Sequence, residues 1–364
     1  MFYTSSMGKG GAERVISVLS NNLILRNNIC IVLNTTKNIA YELDPRIKLI
    51  ELDKAYNKFS ICRNIKRIIT TKKIIEKEKP DIIISFLPIP SYRILSLKNE
   101  FQGTQIIVAD RNDPKEEYKT LINKILMKLL YKRADGFVFQ TKEQKEYFDK
   151  KIQDRSVIIH NPIKEEFLQT NLQNIIKEKT IISVGRLVEQ KNQKMLINAF
   201  SKIAKKNEDY ILKIFGNGPL KEKLQEQIES LQLDDRIKIC GISDNIKEEL
   251  EKGEIFVLPS NYEGMPNALI EAMSVGLPCI STDCPCGGPR ELIENEKNGL
   301  LIPVNDEKIL QKKLEILIDN NKLRMKIGEE AKKIREKLEI SKIIKCWEKY
   351  IEYIHNKEHN INEN

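Results

Sequence analysis

Short apolar runs alternate with longer stretches of helical spacing along this chain. In the first half, Ile29–Leu33, Ile82–Phe86, Ile106–Ala109, Gly136–Gln140 and Val157–Ile159 predict strands, and Phe2–Ser5 a short one before them. In the second half, Ile181–Val184, Ile211–Phe215, Ile237–Cys240, Ile255–Leu258, Cys279–Ser281 and Leu300–Ile302 do the same. Between them Glu13–Leu25, Asn123–Tyr131, Gln193–Ala204, Leu220–Leu231 and Asn267–Val275 predict helices. The alternation argues for parallel sheets covered by helices, twice over, and so for two doubly wound α/β domains. The polar stretch 164–179 is the natural linker between a first domain at 1–163 and a second at 180–338.

At 364 residues, two domains are more natural than one core. No apolar run approaches the roughly 18 residues of a membrane span, and no signal peptide precedes the first polar residues, so cytosolic folding is the expectation. Seven scattered cysteines and three histidines fit reduced thiols rather than a disulfide framework, and no metal site is expected. The net charge of +9 is uneven: residues 1–163 carry +11 and residues 164–364 carry −2. Lys54 to Lys79 is the most basic run, with Ile61, Ile65, Ile68, Ile69, Ile74 and Ile75 at near-helical spacing. Two readings fit it, an amphipathic helix on an anionic membrane surface and a solvated helix face. Nothing resembling a nucleic-acid module accompanies the charge.

In doubly wound folds, ligands bind where strands end and helices begin. Four such loops carry chemistry. Gly8-Lys9-Gly10-Gly11 opens a helix with glycines that let backbone N–H groups approach a phosphate. Gly185-Arg186-Leu187 through Lys191 follows a strand, and Arg186 and Lys191 can both reach a diphosphate, one as a fork and one as a point charge. Gly216-Asn217-Gly218-Pro219 leaves room for a flat base or ribose. Glu263-Gly264-Met265-Pro266-Asn267-Ala268-Leu269-Ile270-Glu271 is the most informative. Pro266 suits the first helical position, the N–H groups of the first turn suit an anion, and the two carboxylates suit hydroxyls on either side. Phosphate at a helix start flanked by hydroxyl acceptors describes a nucleotide sugar.

These residues resemble the family 4 glycosyltransferases. Gly10-Gly11-Ala12-Glu13-Arg14, Tyr131 to Asp135, Gln140-Thr141, His160-Asn161-Pro162-Ile163, the Arg186/Lys191 pair and the Glu263-to-Glu271 string carry the likeness, from about Ser5 to about Ile354. The resemblance implies a GT-B fold of two facing Rossmann-like domains, with the acceptor on the first and the nucleotide sugar on the second. It also implies a C-terminal helix, 339–356 here, crossing back to the first domain with Trp347 as a packing anchor, and a polar tail at 357–364.

By the same resemblance, Arg186 and Lys191 neutralise the donor diphosphate, Glu271 holds the ribose and Glu263 touches the sugar. The backbone of Gly264, Met265, Pro266, Asn267 and Ala268 holds sugar and phosphate, with Gly216 and Gly218 nearby, while Gly10 and Gly11 close the site. Many relatives carry a histidine after the strand Ile106–Ala109. Here Arg111 or Asn112 takes that place on the acceptor side. The implied activity is retaining, metal-free hexosyl or N-acetylhexosaminyl transfer, without a cofactor. The donor is a UDP-linked sugar and the acceptor a saccharide or polyprenyl-diphosphate-linked saccharide at the inner membrane face. The loop at Cys284–Glu291 resembles one in bacterial surface-polysaccharide enzymes. The alternatives are a non-catalytic subunit of a polysaccharide assembly complex, consistent with the short first strand, and a nucleotide-sugar epimerase.

Overall fold

In the computed structural model, which describes the backbone of residues 1–53, 60–169 and 176–362, the chain divides into two compact units. Unit 1 comprises Met1–Pro162 and Ile340–Asn364, and unit 2 comprises Ile163–Glu339. Unit 1 has strands β1 (Phe2–Tyr3), β2 (Cys30–Leu33), β3 (Lys48–Glu51), β4 (Ile82–Phe86), β5 (Gln105–Ala109), β6 (Gly136–Phe139) and β7 (Ser156–Ile158). They form one parallel sheet in the order β3-β2-β1-β4-β5-β6-β7. Unit 2 has β8 (Thr180–Val184), β9 (Ile211–Phe215), β10 (Ile237–Gly241), β11 (Ile255–Leu258), β12 (Cys279–Thr282) and β13 (Leu300–Ile302). Their order is β10-β9-β8-β11-β12-β13, again all parallel. Both sheets are doubly wound, reversing direction between β1 and β4 and between β8 and β11.

The shortest strand sits at the centre of its sheet. Phe2 and Tyr3 are fully buried between β2 and β4, and backbone bonds continue the pairing from Thr4 to Val32 and from Asn34 to Ser5. Tyr3 is pinned by Thr71 at 2.8 Å and by Arg93 at 3.0 Å. Strand β3 is absent from the expected strands because Lys48-Leu49-Ile50-Glu51 lies at the sheet edge, half solvated, and shows no apolar run. The helix Pro88–Ser96 is also absent from them. Its two prolines read as breakers, yet both lie in the first turn, where a missing N–H costs nothing.

Each unit has its own core. Phe200, Leu196, Ile214 and Val257 centre that of unit 2, and Tyr131, Phe137, Phe139 and Val108 that of unit 1. The final helix, Ile340–Asn362, continues past residue 356, where the sequence turns polar. Trp347 is fully buried and stacks on Phe86 at 6.3 Å, the packing role expected of it. Tyr350 fixes the next turn, its hydroxyl donating to the Arg155 carbonyl at 2.6 Å and accepting from the Phe137 N–H at 2.9 Å.

Candidate donor site

In unit 2 the loops after β9, β8, β11 and β12 emerge side by side, because those strands are neighbours in the sheet. The switch point lies between β8 and β11, where loops diverge and leave a crevice. Lys191, from the loop after β8, meets Glu263, from the loop after β11. Their Nζ and Oε1 atoms are 2.5 Å apart, with both side chains largely buried. Ser260, fully buried, donates to the same Oε1 at 2.6 Å. The second oxygen of Glu263 makes no hydrogen bond among the described residues, so it is the acceptor available to a hydroxyl.

The loops that carry this pair are locked by close backbone contact. The Asn261 N–H donates to the Gln190 carbonyl at 2.7 Å, and Gln190 Nε2 donates to the Tyr262 carbonyl at 3.0 Å. The Glu263 N–H donates to the Pro285 carbonyl at 2.8 Å. Thr282 donates to the Ser260 carbonyl at 2.5 Å. Gly216 has φ +145°, and a Cβ there would stand 1.9 Å from the Gly185 carbonyl oxygen. Gly288 is tighter still, its Cβ position 1.5 Å from the Gly264 carbonyl oxygen. Gly288 therefore seats the acid loop. Cys284 is buried beneath the pair, and burial first, then the charge of Glu263, pushes its thiol up to about 12.

Arg186 is exposed and forms no ion pair among the described residues, and its carbonyl accepts from Gln193 at 3.0 Å. Pro266 stands one place earlier than the sequence suggests. It is the N-cap of the helix Asn267–Ser274, with ψ 104°, and its carbonyl accepts from Leu269 and Ile270. An extended ψ keeps the residue outside the helix while its ring still sets φ. The first turn begins with Asn267 and Ala268, whose N–H groups precede any intrahelical carbonyl partner. Glu271 lies buried within that helix. Ser260 and Thr282 are absent from the sequence-derived set. Their signal is faint, a hydroxyl three residues before Glu263 and another at the end of a buried strand.

The remaining candidates stand on unit 1. Gly10 is the N-cap of the helix Gly11–Leu23, and its carbonyl accepts from Tyr41 at 2.9 Å. After β5, Arg111 lies over Phe86 at 4.9 Å and Trp347 at 5.5 Å, and its Nη1 donates to Asn161 at 3.2 Å. Its Nε and Nη2 are buried and find no partner among the described residues. Burial pulls the guanidinium down to about 9, with Asp110 acting the other way. Asn112 folds onto its own turn, donating to Glu117 at 2.8 Å and accepting from Gln144 at 2.9 Å. Asp110 accepts from Tyr118 at 2.6 Å and Tyr131 at 3.0 Å, yet burial raises its carboxyl to about 6. Among the described residues no three His, Cys, Asp or Glu side chains gather closely enough to hold a metal ion.

Residues 164–334 match the family described as glycosyl transferases group 1. An uncharacterised glycosyltransferase of Methanocaldococcus jannaschii is 32% identical over 342 residues, covering 79% of this chain and 83% of that protein. A Campylobacter jejuni relative is 30% identical over 363 residues, 95% of this chain and 97% of its own. It is named an N-acetylgalactosamine-N,N'-diacetylbacillosaminyl-diphospho-undecaprenol 4-alpha-N-acetylgalactosaminyltransferase. The chain belongs to this glycosyltransferase family. Its fold matches that of Anabaena HepE, solved in complex with UDP, with a TM-score of 0.80 at 15% identity over 97% of this chain and 99% of that one. The architecture of this hexosyltransferase is GT-B, and the family match falls on the unit that carries Lys191 and Glu263.

Proposed function

We propose that this glycosyltransferase moves a hexosyl or N-acetylhexosaminyl group from a UDP-sugar to a saccharide carried on a lipid diphosphate, with retention at the anomeric carbon and without a metal ion. The observation that carries the donor reading is the Lys191–Glu263 pair at the switch point of unit 2, with Arg186, exposed and without an ion pair among the described residues, on the loop that carries Lys191, and a helix start just after Glu263. UDP as the nucleotide draws support from HepE, and the lipid diphosphate from the name of the Campylobacter relative.

Chemically, the step breaks the bond between the anomeric carbon and the diphosphate oxygen, and negative charge grows on the leaving group. Arg186 offers a forked donor to it and Lys191 a compact cation. The first N–H groups of the helix at Asn267 and Ala268 add partial positive charge. Lys191 is already held by Glu263, so the cation is in place before the donor arrives. Glu263 turns its free oxygen to a sugar hydroxyl, and Glu271 takes the ribose hydroxyls. The leaving diphosphate accepts the proton of the attacking hydroxyl. The acceptor belongs to unit 1, on the strand edge of Arg111 and Asn112, and the basic charge of that half suits a peripheral place at an anionic membrane face.

Product from a UDP-sugar panel and a lipid-diphosphate disaccharide acceptor, examined by proton NMR, tests this reading. An axial linkage formed in EDTA from an axial donor is the expected result, with Glu263→Gln slowed about a hundredfold. An inverted linkage, or unchanged turnover in Glu263→Gln, sinks it.

A further inference from the structure

The helix Leu121–Leu130 of unit 1 is apolar on two sides, and only one of them is covered. Its inner side is packed: Met127 is buried, Leu126 and Leu130 join the core, and the Asn123 carbonyl accepts from Tyr92 at 3.1 Å. Its outer side exposes Leu121 (72%), Ile122 (70%), Ile125 (47%) and Leu129 (60%). At about 100° per residue these four fall within one arc of roughly 100°, with Lys124 and Lys128 along its border. A helix apolar on both sides is ordinarily buried on both, and a clustered exposed apolar face marks a docking surface.

The charges around it say what docks. Between Glu117 and Asp135 the chain has five cations, Lys119, Lys124, Lys128, Lys132 and Arg133, and no acid. Lys124, Lys128 and Lys132 are exposed and form no ion pair among the described residues. The basic run singled out in the sequence is a weaker candidate. Its Lys54 and Lys58 lie outside the described residues. On the helix Ser60–Glu78, Arg67 is taken by Asp53 and Lys72 by Glu100. That helix still exposes Ile65 and Ile69. Right-handed crossovers into β4, β5 and β6 put it on the same sheet face as Pro88–Ser96 and Leu121–Leu130. The middle helix packs against both its neighbours.

We propose that the outer face of Leu121–Leu130 docks on an anionic phospholipid bilayer. Leu121, Ile122, Ile125 and Leu129 enter the acyl boundary, and Lys124, Lys128 and Lys132 meet lipid phosphates. The proposal rests on the functional reading only for bringing a membrane near; its test needs no turnover, so either can fail alone.

The full chain is sedimented with phosphatidylglycerol–phosphatidylcholine vesicles and with phosphatidylcholine vesicles. Binding to the anionic vesicles that weakens with salt is expected. Leu121→Ser with Ile125→Ser should lower partitioning at least tenfold, and Lys124→Glu with Lys128→Glu should remove the preference for anionic lipid. Ile65→Ser with Ile69→Ser should change it less than twofold. Unchanged UDP affinity and thermal melting in each pair keep a folding defect from imitating the result. The proposal is overturned by no vesicle binding, by equal loss from the Ile65/Ile69 pair, or by unchanged binding in both Leu121–Leu130 pairs. A wild-type dimer that Leu121→Ser with Ile125→Ser splits, without vesicle binding, assigns the face to a second copy and overturns it equally.

Discussion

Lys191 and Arg111 are both cations held at the C-terminal edge of a parallel sheet, and they are held in opposite ways. Lys191 rests on a carboxylate that a buried serine keeps in place, so its charge is balanced and its ammonium remains able to share an incoming anion. Arg111 rests on two aromatic faces and one amide oxygen, with two of its nitrogens buried and unbonded among the described residues. The proposed binding and release of a diphosphate gains from the first arrangement. The second fixes a cation where a compact fold needs a peg, between the end of β5 and Trp347 of the last helix.

The largest expected effect comes from breaking the paired cation. Lys191→Ala leaves the buried Glu263 carboxylate with Ser260 alone and, in the proposed function, removes a donor to the leaving group. Turnover should fall by two to three orders of magnitude, with folding destabilised by about 3 kcal/mol, read by kinetics and urea melting. Nearly as large is Trp347→Ala in the other region. It deletes a fully buried ring beneath Arg111 and beside Phe86, and should cost about 3–4 kcal/mol in urea melting.

Next comes the acid beside the stacked cation. Asp110 holds its proton up to about 6 in the folded chain, against 3.8 for the free carboxyl. The folded state therefore binds the extra proton between about pH 4 and pH 6. The contribution of this group to stability is greatest below that window and falls as pH rises through it, by about 3 kcal/mol in all. The melting temperature of Asp110→Asn relative to wild type should rise steadily from pH 4 to pH 6 and level above it. The smallest effect sharpens the comparison. Arg111→Met keeps a flexible apolar stem over Phe86 and Trp347 and removes two unbonded donors, so its stability should lie within about 1.5 kcal/mol of wild type, on either side.

Most of the fold is legible in the sequence, because strands buried in a parallel sheet are apolar runs that stand out between helices. Ile82–Phe86, Ile211–Phe215, Ile255–Leu258 and Leu300–Ile302 fall where the pattern puts them. Two amphipathic helices of unit 2, Glu307–Asp319 and Asn321–Lys332, are also absent from the expected elements. The other misses are what the pattern does not encode. Strand β3 is a solvated edge, and the helix Pro88–Ser96 begins with residues that punctuate elsewhere.

The meeting of Lys191 with Glu263 follows from strand order, which local spacing does not reveal. Ser260, Thr282 and the seat of Gly264 on Gly288 depend on contacts between loops that are remote in sequence. On unit 1 Arg111 and Asn112 follow the end of β5, as the strand pattern places them. That pattern says nothing of the rings beneath Arg111 or the turn that occupies Asn112, since those partners come from Phe86, Trp347 and Glu117.

Calorimetric titration of UDP into wild type, Lys191→Ala and Arg111→Met tests the contrast most directly. Binding to wild type, at least a hundredfold loss in Lys191→Ala and less than a twofold change in Arg111→Met are the expected results. UDP bound by folded Lys191→Ala as tightly as by wild type, or no binding by folded wild type, contradicts the contrast.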